Sequence, residues 1–149
     1  MVRTYGGDSI TTPAVTVVVD VANVMGARAD GWWRDRAGAA LRLCRSVAEL
    51  AARGVPAARM PGGLPAPAAW VLVLEGQARA AAASLADVPP AVRVVTAPGS
   101  GDDAIVAEVA SLTAASASCL VVTADRELRR RCAALGAAVA GPGWLIELL

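Results

Sequence analysis

Apolar runs of strand length alternate with stretches of helical period along this chain. Residues 15–19 form a continuous β-branched run closed by Asp20, the pattern of a strand covered on both faces. Residues 70–74, 92–95 and 120–123 repeat it, and 137–140 read as a short last strand. Over residues 36–53 the period becomes helical. Ala40, Cys44, Val47 and Ala51 mark an apolar face, and Arg42, Arg45, Glu49 and Arg53 a polar one. Gly54 and Pro56 end that helix. An alanine-rich short helix is predicted from after Glu75-Gly76 to about Ala86. A further helix is predicted from Asp102 to about Ala115, with Ile105, Val106, Val109 and Leu112 inward. Residues 125–135 follow as a helix with Leu128, Cys132 and Leu135 inward, and Gly136 as its stop. Residues 144–149 read as a closing helical turn. Residues 21–35 and 54–68, rich in glycine and proline, read as loops, and 1–14 as a loose polar arm.

Strands alternating with helices predict an α/β fold: one domain over residues 15–149, with a parallel three-layer sheet. Right-handed crossovers gather the strand C-terminal ends at one edge, where open α/β sheets bind ligands. No internal repeat is present.

Composition narrows the chemistry. No apolar run reaches the ~18 residues of a membrane span. Residues 1–8 carry no hydrophobic signal region, so cytoplasm is the expected compartment and no membrane is expected as partner. Cys44, Cys119 and Cys132 lack metal-type spacing and read as small buried apolar side chains. Net charge is +1, so no global field advertises nucleic acid. Lysine is absent, and arginine, a planar fork suited to phosphate, carries all the basic charge. Histidine is absent too, which removes Ser-His, Cys-His and His-metal mechanisms together.

The acids are placed where chemistry would use them. Asp20 ends the first strand, Asp102-Asp103 open a helix after Gly99-Ser100-Gly101, and Asp125 follows the 120–123 run. Each has an ordinary structural reading: an Asx turn at Asp20, and helix caps at Asp102, Asp103 and Asp125. Together they fall at one edge of one sheet. Clustered carboxylates repel and call for a cation, and hard oxygen ligands suit Mg²⁺ or Mn²⁺. Such an ion lowers the pKa of a bound water and neutralises charge on a phosphate. Asn23 stands where its amide could fix Asp20 or a phosphate. Ser100, Thr123 and Arg126 lie beside the acids, and Arg34 and Arg36 hang over the same edge as candidate phosphate contacts. Trp32 and Trp33 read either as base-stacking rings or as packing beneath the loop. Arg129-Arg130-Arg131 reads as a solvated helix face.

Three segments, Val17-Val-Val-Asp20-Val-Ala-Asn23, Gly101-Asp-Asp103-Ala-Ile and Val121-Val-Thr-Ala-Asp125-Arg, resemble the NYN domain of the PIN-like nuclease superfamily, nearest its YacP-like branch. The resemblance implies a Rossmann-like PIN fold with strand order 3-2-1-4-5. It also implies metal-dependent cleavage of RNA, with Asp20, Asp102 or Asp103, and Asp125 as Mg²⁺ or Mn²⁺ ligands and Asn23 in support. RNA is then the expected partner, with the ribosome, another protein or a second copy in a homodimer as further ones. Two departures stand out. Pro98-Gly-Ser-Gly101 replaces a stretch where relatives often carry another acid, and Glu75 stands where they often carry aspartate. A PIN-like domain that has lost catalysis and binds RNA or protein is therefore the alternative. A small-molecule phosphohydrolase ranks below both, because Asp20 is followed by Val21-Ala22-Asn23 rather than a D-x-D start.

Overall fold

The computed structural model describes residues 14–149. All but the last residue of the predicted polar arm lies outside them. Five strands form one parallel sheet: β1 (Val15–Asp20), β2 (Pro67–Leu74), β3 (Val92–Thr96), β4 (Ser118–Val122) and β5 (Ala138–Ala140). Their order is β3-β2-β1-β4-β5, so β1 is central and the order reverses between β1 and β4. The helices are α1 (Val21–Gly26), α2 (Arg36–Arg53), α3 (Gly101–Ala114), α4 (Arg126–Ala134) and α5 (Pro142–Ile146).

Every residue of β1 is buried, as expected for a β-branched run at the centre of a covered sheet. Strand alternation sorts its side chains between two cores. Val15, Val17 and Val19 pack with α1, α2 and α5, while Val18 packs with Val71, Val73, Val121 and the inner faces of α3 and α4. Asp20 shares the parity of Val18, Glu75 that of Val71 and Val73, and Thr123 that of Val121. Period two alone therefore assigns all three to the α3 side of the sheet, just beyond its core.

Two expectations need correction. Residues 21–26 are not loop. The Asp20 side chain accepts from the Asn23 N–H and caps α1 directly, and Val21, Val24 and Met25 bury its inner face. The alanine-rich segment Gly76–Leu85 is a 3-10 rather than an α-helix. At about three residues per turn, Ala78 and Ala81 share one inward face, which suits small side chains laid against α2. Cys44, Cys119 and Cys132 are buried free thiols, with Cys44 and Cys119 pushed up to about 12 by burial, which leaves both unionised and inert as nucleophiles. Among the described residues no helix is long and apolar enough to cross a membrane.

Candidate active site

The strand order places Asp20 between the ends of β2 and β4. It lies opposite Val73 in the β1–β2 register, and Thr123 follows the last β1–β4 pair, Val19 with Val122. The Asp20 carboxylate is 6% exposed and is held on two sides. Its Oδ2 accepts from the Thr123 hydroxyl at 2.9 Å and its Oδ1 from the Asn23 N–H at 3.3 Å. Burial pushes the Asp20 carboxyl up to about 6. The two hydrogen bonds hold it down, and the charges of Asp102 and Glu75 push it up further.

Thr123 is fully buried, and its hydroxyl also accepts from the Asp125 N–H at 3.2 Å. Read from sequence as a substrate contact, Thr123 is found with its hydroxyl linking Asp20 to the turn before α4. Asn23 likewise works differently from expectation. Its backbone N–H, not its side chain, holds Asp20. Its side-chain oxygen accepts from the Ala124 N–H at 2.8 Å and ties the exit of β1 to that of β4.

The Asp102-Asp103 pair divides its labour. Neither residue caps α3, because Ser100 does so, its Oγ accepting from the Asp103 N–H at 3.3 Å. That bond uses the Ser100 hydroxyl as an acceptor and leaves its O–H as a donor. Asp103 is exposed and pairs at 3.1 Å with Arg131 on α4, away from Asp20. Asp102 is the member that meets the cluster. Partial burial raises its carboxyl, and Asp125 and Glu75 raise it further. Asp125 caps α4, its Oδ1 accepting from the Leu128 N–H at 2.9 Å. The cap reading and the cluster reading thus both hold for Asp125.

Glu75 is the main acid that the motifs undervalued. Its Oε2 accepts from the Gly101 N–H, the first of α3, at 2.8 Å. A Cβ at position 101 would lie 2.8 Å from the Glu75 carboxyl carbon and 2.9 Å from each oxygen. Glycine is what lets the end of β2 reach the start of α3. The parity of Glu75 with Val71 and Val73 was the signal available in the sequence.

A cleft of about 320 Å³ opens beside this edge, lined by Ala22, Met25, Arg36, Glu75, Gln77 and Gly99 among others. Arg36 is thus delivered to the acidic edge from the start of α2. Arg34 lies next to Trp33, and Arg126 is exposed at the start of α4. Asp20, Glu75, Asp102 and Asp125 form one electrostatic group, each felt by Asp20 or Asp102. Among the described residues, however, no three carboxylates or thiols converge into a group that could hold a metal ion.

No protein-family model matches this chain, and no curated protein does. Among solved structures, the chain is similar to a variant of Rae1 (YacP) from Bacillus subtilis, with a TM-score of 0.61 and 17% sequence identity. The match covers 89% of this chain and 74% of that one. At that identity the likeness is one of fold: the three-layer α/β architecture with sheet order 3-2-1-4-5 is shared.

Proposed function

We propose that the protein is a metal-dependent ribonuclease whose centre is the acidic edge around Asp20. The observation that carries this reading is a buried carboxylate, clamped by Thr123 and the Asn23 N–H, at the point where the strand order reverses, its pKa raised by burial and further by neighbouring acids. Structural caps alone do not call for a carboxylate buried among like charges. The YacP-like motifs bring RNA as the substrate class, and the shared fold supports them.

The donor set fits a hard cation. All donors are carboxylate oxygens with mutual repulsion to relieve, and Mg²⁺ is commonly held by one or two carboxylates with the rest of its shell water. Asp20 and Asp102 would hold it, with Glu75 and Asp125 adding negative field. When bound, such an ion supplies an activated water and neutralises charge growing on the phosphate oxygens. The chain's own residues do the rest. Thr123 and Asn23 keep Asp20 oriented, Glu75 holds the start of α3, and Arg36 at the cleft rim attracts the phosphate.

The absence of a ready chelate among the described residues favours one second reading, a PIN-like domain that binds RNA or protein without cutting. The deciding experiment incubates purified protein with single-stranded and structured RNA in Mn²⁺, Mg²⁺ or EDTA, beside Asp20→Asn. Metal-dependent cleavage that the variant loses is expected. RNA binding without cleavage in any metal would establish the second reading, and cleavage that survives Asp20→Asn would move the centre elsewhere.

A further inference from the structure

The segment Gly31-Trp32-Trp33-Arg34-Asp35-Arg36 does something the acidic centre does not use. Gly31 adopts a left-handed φ of 76° and turns the chain into a short 3-10 turn, Trp32–Arg34. Trp32 is half-buried and packs against the core under α1 and α2. Trp33 stands out at 57% exposed, the one large hydrophobic side chain so exposed among the described residues. It is braced rather than loose. Its ring meets Trp32 edge to face, with centroids 6.0 Å apart and planes at 87°. The Arg34 guanidinium lies 5.7 Å from the Trp33 centroid, and that of Arg36 lies 5.2 Å from the Trp32 centroid.

We propose that Trp33, braced by Trp32 and Arg34, is a stacking platform for an unpaired base of a bound RNA. The substrate class rests on the ribonuclease reading above; the platform rests on its own geometry. An indole fixed in advance offers its face with little ordering cost. Arg34 and Arg36 have no ion-pair partner among the described residues, whereas nearby Asp30 is drawn to Arg42 and Asp35 to the Gly38 N–H. Two guanidiniums that lie against indoles and pair with no carboxylate among the described residues suit a base and its flanking phosphates better than an apolar protein surface. Continuity supplies the direction. Arg36 touches Trp32 and also lines the cleft that holds Glu75. A strand stacked at Trp33 therefore lies beside the cleft that Arg36 and Glu75 line. A duplex keeps its bases stacked internally and cannot use the platform.

The test measures binding separately from cutting. Fluorescence anisotropy in EDTA follows a short labelled single-stranded RNA, the same strand with one abasic site, and a duplex. Trp33→Ala should weaken single-strand binding by about fivefold to a hundredfold, while Trp33→Phe retains most of it. A strand whose base has been removed at the stacked position should bind wild type more weakly and Trp33→Ala no more weakly still. Circular dichroism checks that each variant folds, and the abasic arm leaves the protein unchanged. Equal affinity of wild type and Trp33→Ala, equal binding of duplex, or no binding of single strands by wild type would each overturn the platform. The two readings fail separately. Trp33-dependent binding without cleavage in Mn²⁺ leaves the platform and removes the nuclease, while Asp20-dependent cleavage with KM unchanged in Trp33→Ala does the reverse.

Discussion

Replacing Gly101 with alanine tests how the acidic edge is assembled. The added Cβ would stand 2.8 Å from the Glu75 carboxyl carbon, inside contact distance. The obstructing atoms are the far end of a flexible side chain, so Glu75 swings away and the backbone of α3 stays. The loss is then the Gly101 N–H to Glu75 bond, 2.8 Å long and charge-assisted. Hydrogen bonds to charged groups contribute about 1.5–3 kcal/mol. Alanine returns up to about 1 kcal/mol through helix propensity and a less flexible unfolded chain. The net destabilisation is about 1–2 kcal/mol, or a Tm lower by about 3–8 °C in a domain of this size. Urea or thermal unfolding of Gly101→Ala, Glu75→Ala and the double variant closes the cycle. In the Glu75→Ala background, Gly101→Ala should be neutral or stabilising, because nothing remains to displace. An equal loss in both backgrounds, or a gain in wild type, would refute the clamp.

Asp20 sets a pH dependence of unusual sign. Its carboxyl rises from 3.8 to about 6, so the folded state holds that proton more tightly than the unfolded chain. Its contribution is full below the unfolded value and is lost as pH climbs through that window, on the order of 3 kcal/mol. Urea titrations of metal-free protein should show this slope, and Asp20→Asn should flatten it and be at least as stable at pH 7; a lower Tm there would mean that capping α1 outweighs charge burial. Saturating Mn²⁺ should raise the Tm of wild type by mass action and leave Asp20→Asn unmoved, as thermal scans will read. Asn23→Ala removes the acceptor for the Ala124 N–H and should lower stability by about 1 kcal/mol, with Asn23→Asp restoring most of it in the same unfolding assay.

Much of this molecule was legible along the chain. The β-branched run of 15–19, the alternation of short apolar strands with helical stretches and the caps at their ends are local signals, and local periodicity reports them. They placed helix α2 at residues 36–53, where it is found, and put the acids at strand ends. The period alone suggested a parallel sheet, while its order came from the likeness of the motifs to a family. Residues 21–26 were misread because the capping bond from Asp20 turns a Gly-containing stretch into helix at once.

What each acid does is a different matter, because it depends on groups far apart in sequence. Asp102 and Asp103 are neighbours of identical chemistry. The rotation of α3 against the sheet and the position of Arg131 on α4 send one to the cluster and the other to an ion pair. Thr123 lies 103 residues from Asp20, and only the β1–β4 register sets its hydroxyl against that carboxylate. Gly101 meets Glu75 only because the end of β2 lies against the start of α3. Apart from residues 21–26 and 76–85, the sequence alone determined the elements and the kinds of donor at their ends, since both follow from residues a few positions apart. The tertiary structure decided which donors meet, which are already engaged and which ring stays in water, since strand order, register and helix rotation are set by packing across the whole sheet.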